Sequence, residues 1–490
     1  MRKAALITAC LIGAAALSWV TAHVAGDLST YGIPKMLWPF GLFGVLAGVA
    51  GWAHLTLGPD GADGWNRPSW KALVAAAIAI HLAAALSVPF TSSDLWSNVA
   101  YGRMAALGLN PYVGGPSMLP AGDPLRTLVH PMWRDLPMPY GPLVALFCVG
   151  PGAMATPWLG MLLFKTLMAA ATLGTLLIAS RLCRARFDDG EARARFVLLA
   201  WCPLFAWELS GQVHNDALLV ACLIGFAWAA VAEREALAMV CLTLGVAAKF
   251  AAVPVAGLYL VMVMRRSPAR AVLYGGGLAA VTVATMLPWW HGLSTLSGLW
   301  TNIGPVAGHS ARSIGDLIGL VGELHSEATK HAAFRAFSVV GVATAAAMGL
   351  LGVVRVRTPA SVIHYAMLFF LCGDLFSQAW FQPWYVTWLL VLAVVHPDRR
   401  WLSLMALYAA LQLLTYMAPI DPVSSVAIDL YIGWRVIRLA REGDAAWALE
   451  PARGTPVDEF GAGAVVAGEA RASRGRAQRT AAASAAPPRS

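Results

Sequence analysis

The sequence predicts an all-α integral membrane protein, a helical bundle of about fourteen spans, and three observations carry that expectation. First, the 490 residues are 58% hydrophobic and only 12% charged, whereas a soluble domain is about 45–50% apolar and about 25% charged. Too little polar surface remains to coat a water-soluble body, and a mean hydropathy of +0.64 agrees. Second, apolar runs close to the ~20 residues needed to cross a hydrocarbon core recur along the whole chain. Third, the surplus of 35 Lys+Arg over 26 Asp+Glu falls largely in short connections between those runs. The positive-inside bias predicts that distribution without invoking nucleic acid.

Taken in order, the spans fall near 4–23, 37–57, 72–90, 158–180, 195–210, 216–232, 235–248, 251–264, 271–289, 334–354, 360–376, 384–396, 401–418 and 422–438. Arg2-Lys3 before the first run has the look of a signal peptide, but an uncleaved span keeps the parity of the rest even. The runs 235–248 and 251–264 are short. They read as re-entrant or half-length helices, which need protein or a watery cavity around their broken backbone. Arginine clusters at 181/184/186/193/195, 265/266/270, 355/357 and 399/400 fall on alternate connections. That side is expected to be cytoplasmic, with both termini there, in the plasma membrane of a bacterium.

The opposite, extracytoplasmic side then receives the 91–157 loop, which carries short helices, the turn at 211–215, the 290–333 segment and the turn at 377–384. The membrane domain is read as residues 1–442. From 443 to 490 the chain turns Ala-, Arg-, Gly- and Pro-rich. Such a composition buries too little apolar area to offset its chain entropy, so a disordered cytoplasmic tail is expected. Seven cysteines stand singly, with no CxxC and no Cys/His cluster. Neither a disulfide framework nor a metal site is expected, and no cofactor.

Chemistry is sought where polar residues interrupt this pattern. Asp94 follows a span directly, at the start of a short helix that Ser92 or Ser93 is placed to cap. At 100° per residue Asp94, Asn98 and Tyr101 share one face, while Trp96 and Arg103 share the other, where they would rest on lipid headgroups. An acid in a first turn is also what the helix dipole favours, so spacing alone leaves both readings open. Basic residues on the outer side run against the positive-inside bias: Arg103, Arg126, Arg134, Lys249, Arg312 and Lys330. Cations placed there suit a phosphate leaving group. Lys249 sits at the tip between two short apolar runs, where a cation is costly unless paired or wet; snorkelling is the alternative. Gln212-Val213-His214-Asn215-Asp216 is a dense polar turn which, with Glu208 just before it, suggests a water-filled vestibule. Asn215 is equally placed to cap the next helix. Trp380-Phe381-Gln382-Pro383-Trp384-Tyr385 is either an aromatic belt or a sugar platform.

The order of these motifs carries a resemblance. Ser93-Asp94 with Asn98 and Tyr101-Gly102-Arg103, then Asn110-Pro111-Tyr112, Tyr140-Gly141-Pro142, His214-Asn215-Asp216, Lys249-Phe250 and Gln382-Pro383-Trp384-Tyr385 succeed one another. This resembles the GT-C superfamily of polytopic glycosyltransferases, and most closely the bacterial polyprenol-phosphate-mannose-dependent α-1,6-mannosyltransferases. The likeness runs from about Asp94 to Tyr385. It implies a GT-C-like bundle in which Asp94 is the general base, taking the acceptor hydroxyl proton as that oxygen attacks the anomeric carbon. It further implies a polyprenyl-phosphate-mannose donor, a glycan or glycolipid acceptor, inversion at the anomeric carbon and no metal. Asn98, Tyr101, Arg103, Tyr140, His214, Asn215, Asp216, Lys249, Arg312, Gln382, Trp384 and Tyr385 are then the expected substrate-binding residues. Two departures stand out: superfamily members often pair two acids where this chain has Ser93-Asp94, and two spans precede the one leading into the loop. The competing expectation is a secondary transporter or flippase, whose ionisable residues would gather at the bilayer midplane.

Overall fold

The computed structural model describes residues 69–86, 92, 94–298, 326–377, 382–413 and 423–442. The expected spans 4–23 and 37–57 and the tail from 443 lie outside the described residues. Among the described residues the regular structure is helical and no strand forms.

The helices are α1 Trp70–Leu86, α2 Asp94–Ala106, α3 Pro142–Gly152, α4 Pro157–Arg186, α5 Asp189–Ala200, α6 Asp216–Val231, α7 Glu235–Ala248, α8 Val253–Arg266 and α9 Pro268–Met286. They continue with α10 Glu327–Arg355, α11 Pro359–Cys372, α12 Val386–Ala393, α13 Arg399–Gln412 and α14 Val423–Glu442. Their starts follow local rules. Thr156, Ser267 and Thr358 each accept a backbone N–H at a helix start, and each is followed by proline in the first turn. Proline lacks an N–H the first turn could not use, and its fixed φ suits the helix. Asp188 and Asp398 cap α5 and α13 in the same way.

Two helices are long and apolar enough to cross a membrane by length and composition, 157–186 and 268–289. Other apolar helices are shorter, among them 216–231, 235–248 and 359–375. The expected span 195–210 is divided: α5 ends at Ala200, a short helix covers Pro203–Ala206, and a π turn covers Trp207–Gly211. The expected span 384–396 shrinks to the eight residues of α12. Broken helices survive in an apolar setting only where neighbouring protein satisfies their open backbone. Here the breaks gather at one end of the bundle.

That end is defined by contacts. Trp96 of α2 meets Trp158 at the start of α4 with ring centroids 5.5 Å apart. Asn110 Nδ2 donates to the Trp289 carbonyl beyond α9 at 2.7 Å. The Gly141 N–H donates to the Ala248 carbonyl at the end of α7 at 3.0 Å. The arginine clusters lie at the other ends of the same helices. Arg195 sends its guanidinium to the carbonyls of Val394, His396 and Pro397, with Glu191 on its Nε at 2.6 Å. Arg265 donates to Val353 and Val354 carbonyls, and Trp70 Nε1 donates to Asp189 at 2.8 Å. The alternation of arginine-rich and polar connections along the sequence is thus the up-down alternation of the helices.

Two expectations about the loop are corrected. Helix α2 is not amphipathic: every residue from Leu95 to Gly102 is buried. Trp96 packs on Trp158 rather than standing toward lipid, because α3 and α4 close over it. The closeness of α2 and α3 depends on glycine. A Cβ on Gly102 would lie 1.8 Å from the Cys148 carbonyl oxygen, and one on Gly152 would lie 2.0 Å from the Arg103 backbone nitrogen. The outer arginines, read as a phosphate signal, are spent inside the loop. Arg103 pairs with Asp123 at 3.0 Å. Arg126 donates to the Leu119 carbonyl, and Arg134 to Val129 and Thr127 carbonyls. Loop carbonyls outside helices need such donors once they are removed from water.

Candidate active site

Asp94 is the first residue of α2, and its N–H donates to Ser92 Oγ at 3.1 Å. Ser93 lies outside the described residues. The Asp94 side chain is 20% exposed, and its Oδ2 faces His214 Nδ1 at 3.5 Å. The other ring nitrogen, Nε2, lies 3.0 Å from Glu208 Oε2, an ion-pair contact. Glu208 is fully buried and His214 nearly so. The ring also stacks on Trp384, with centroids 3.7 Å apart and planes 16° from parallel. One imidazole therefore sits between two carboxylates on a fixed aromatic floor.

The turn that delivers it is unusual. Residues 207–211 form a π turn, a feature frequent at functional sites. Lys165 Nζ from α4 donates to the Gly211 carbonyl at 2.7 Å, and His81 Nδ1 lies 2.8 Å from Ser210 Oγ. Val213 then takes φ +69°. A β-branched residue there is strained and persists only when its surroundings hold it. The His214 N–H returns to the Glu208 carbonyl at 3.2 Å.

Asn215 stands at the N-cap of α6, but its side chain makes no cap bond. Instead Nδ2 donates to Asn98 Oδ1 at 3.1 Å, and Asn98 Nδ2 donates to the Asp94 carbonyl at 2.8 Å. This buried amide pair fixes the base of α2 to the His214 turn. Tyr101 points elsewhere: its hydroxyl donates to the Leu136 carbonyl at 2.9 Å.

Beside this lies a second group. Asp216, buried at the start of α6, holds Lys249 Nζ with both oxygens, at 2.8 and 2.9 Å, and accepts Trp388 Nε1 at 2.7 Å. The ammonium is walled by the rings of Tyr140, Tyr385 and Trp388, at 5.6, 4.9 and 5.0 Å. Tyr385 stacks on Trp388 and meets Trp384 edge-on. The charges of both Asp94 and Asp216 reach Tyr140, so the two groups border one site.

The electrostatics separate donors from bases. Burial first, and the Asp94 charge second, push the Tyr101 phenol well above its usual range. Burial and the Asp94, Tyr385, Tyr101 and Asp216 charges do the same for Tyr140. Neither phenol is a base near neutral pH. For His214, burial opposes protonation and is the largest single influence. The hydrogen bonds and charges of Asp94 and Glu208 together outweigh it and lift the ring to about 9.

The structure thus brings together Asp94, Asn98, His214, Asn215 and Trp384, and beside them Tyr140, Asp216, Lys249 and Tyr385. Gln382 is buried at the head of the Pro383–Tyr385 turn, where its carbonyl accepts the Tyr385 N–H. Arg103 and Tyr101 are turned into the loop, and Arg312 lies outside the described residues. Sequence reading passed over Trp388, though it follows Trp384 and Tyr385 at the four- and three-residue spacing of one helical face. Lys165 was passed over too, although a lysine inside an apolar run is a signal in itself. Among the described residues no cluster of three or more His, Cys, Asp or Glu could hold a metal ion.

Known proteins bear on this site. The family described as alpha-(1->6)-mannopyranosyltransferase, N-terminal domain, matches residues 3–266. A probable alpha-(1->6)-mannopyranosyltransferase of Mycolicibacterium smegmatis is 31% identical over 144 residues, 28% of this chain and 25% of that protein. Alpha-(1->6)-mannopyranosyltransferase A of Mycobacterium tuberculosis is 31% identical over 181 residues, 34% of this chain and 31% of that protein. Alpha-(1->6)-mannopyranosyltransferase B of Corynebacterium glutamicum is 27% identical over 145 residues, 28% of this chain and 23% of that protein. The aligned segments thus span less than a third of each relative's length. No solved structure matches the chain significantly. With more than half of its residues matched by the family, and with Asp94, Glu208, His214, Asp216 and Lys249 inside the matched segment, the chain belongs to the alpha-(1->6)-mannopyranosyltransferase family.

Proposed function

We propose that the protein transfers a mannosyl residue from a polyprenyl-phosphate-mannose donor to a hydroxyl of a glycan or glycolipid. The reaction takes place at the extracytoplasmic face of a bacterial plasma membrane, with inversion. The observation that carries this reading is the Asp94 carboxylate. It is part-exposed at the head of a buried helix and backed by buried His214 and Glu208.

Asp94 accepts the proton of the acceptor hydroxyl as that oxygen forms its bond to the anomeric carbon. The bond from that carbon to the phosphate oxygen breaks, and its electron pair leaves on the phosphate. A base of this kind needs placement, and the Asn98–Asn215 pair and His214 supply it. Lys249 is the cation for the departing phosphate. Asp216 and Trp388 fix its position, and the rings of Tyr140 and Tyr385 flank it. Trp384, the floor under His214, offers an indole edge to the sugar. An amphiphilic donor and the apolar helices favour a reaction within a bilayer.

The decisive experiment is Asp94→Asn assayed in membranes with a polyprenyl-phosphate-mannose donor. The change keeps the shape and removes the base. Transfer is expected to fall by about 10²–10⁴-fold, the usual contribution of a general base, while the protein still accumulates. Transfer at the wild-type rate would overturn the assignment.

A further inference from the structure

Glu208 is fully buried, yet it is an acid inside an apolar segment. Burying a carboxylate costs several kcal/mol unless a counter-charge and donors meet it. His214 Nε2 faces it at 3.0 Å. The same ring turns its other nitrogen, Nδ1, to Asp94 Oδ2 at 3.5 Å. A neutral imidazole has one N–H and one lone pair. Between two carboxylates, its lone pair would face an oxygen of one of them and repel it. Only the doubly protonated ring presents a donor to both.

We propose that Glu208 is a positioning residue of this site, holding His214 as an imidazolium so that both ring nitrogens donate and the net negative charge of the trio rests on Asp94 at the open end.

The trio's charges explain why a second acid is needed. An imidazolium alone beside Asp94 would neutralise it and weaken it as a base. With Glu208 behind the ring, Asp94 faces a pair of no net charge. The ring can then aim the carboxylate without removing its basicity. The backbone supports the same reading. Strain at Val213, φ +69°, lies directly between the π turn that carries Glu208 and the ring. Lys165 on the Gly211 carbonyl closes that turn from α4. Strain of this kind persists where the surroundings over-determine it.

Other groups around the ring do not supply the charge. Trp384 gives a face, Asn215 and Asn98 are neutral, and the Asp216 carboxylate is engaged by Lys249 and Trp388. From α2 the facing charge is Asp94, and from the π turn it is Glu208. His214 is held up to about 9 by these two against its burial. The sign follows: the ion-pair contribution is full below the ordinary imidazole value of about 6.5 and is lost as pH rises through about 9.

The inference rests on Asp94 acting as base, but its principal readout does not. The full-length protein in lipid nanodiscs, labelled with ¹⁵N-histidine, reports the protonation of each ring nitrogen directly. His214→Gln identifies the resonance. In the wild type both nitrogens of His214 are expected to be protonated at pH 7, with a midpoint near the value above. In Glu208→Gln the midpoint is expected to fall by at least about one pH unit, a change a purely packing role would not produce. Glu208→Asp is expected to restore part of it. The alkaline limb of mannosyl transfer should move with the midpoint. A ring neutral at pH 7 in the wild type, or an unchanged midpoint in Glu208→Gln, would overturn the proposal. If Glu208→Gln does not accumulate, the wild-type protonation state alone decides. Unimpaired transfer by Asp94→Asn would sink the base assignment and leave the titration result standing, so the two failures are distinct.

Discussion

Lys249 shows how much a single residue's surroundings decide. A lysine at a helix end is ordinarily solvated or snorkelling. This one is held by both oxygens of a buried aspartate, with three aromatic faces about 5 to 6 Å from its nitrogen. Cations so placed interact with the rings by about 0.5–2 kcal/mol, and the aspartate fixes the direction of approach. Removing the ammonium alone would strand Asp216 as a buried unpaired charge, so the informative variant is Lys249→Ala with Asp216→Asn. Its expected phenotype is a KM for the lipid-phosphate donor raised about 10–100-fold, the worth of a charge-assisted hydrogen bond, with KM for the acceptor little changed. Steady-state kinetics with the two substrates varied separately checks this, and an unchanged donor KM would remove Lys249 from the phosphate role.

At the level of elements, the site depends on how closely α2 lies on α3. Gly102 and Gly152 let backbone meet backbone, and the nearest atoms at the contact are backbone atoms that cannot yield by a side-chain rotation. Gly102→Ala would place a methyl 1.8 Å from the Cys148 carbonyl oxygen. Overpacking of a tight interior usually costs about 1–3 kcal/mol. Here the clash is with backbone, so α2 must move and Asp94 with it. The expected result is a lower unfolding temperature in detergent together with loss of transfer; wild-type values of both would show that the contact is looser than described. The π turn at 207–211 is the other critical element. It converts what would be one span into a helix, a break and a strained corner, and the corner carries His214.

For the whole molecule, the organising fact is that polar breaks collect at one end and the arginine clusters of the short connections at the other. Arg195 illustrates the second end. Its buried guanidinium joins Glu191 to three carbonyls of the 394–397 turn and stacks on Phe187 at 3.9 Å, and Arg399 also reaches Glu191. In the proposed orientation the two ends face opposite compartments. In a background with the native cysteines replaced, Leu107→Cys at the site end should react with an impermeant maleimide in intact cells. Glu233→Cys, at the far end of α6, should react only after permeabilisation. The reverse pattern would put the site on the inner face and defeat the proposed reaction.

How much of this was legible beforehand follows from the range of each interaction. The helical class, the alternation of ends and most helix starts are local: they depend on composition, on run length and on a Thr or Ser before proline, and these are written in adjacent residues. The motif residues Asp94, His214, Lys249 and Trp384 were legible for the same reason, since each interrupts an apolar pattern. Their roles were not. Asn98 and Asn215 are 117 positions apart, and Trp388 and Asp216 are 172 apart. No periodicity links such pairs. Arg103 looked available for phosphate until Asp123, twenty residues on, claimed it, and the amphipathic reading of α2 failed because α3 and α4 bury the residues from Leu95 to Gly102. The sequence by itself determined a helical chain of apolar runs with polar interruptions between them. Only the tertiary structure decided which of those interruptions face one another, because charge pairing and stacking act over a few ångströms and the chain must fold before distant residues come within that range.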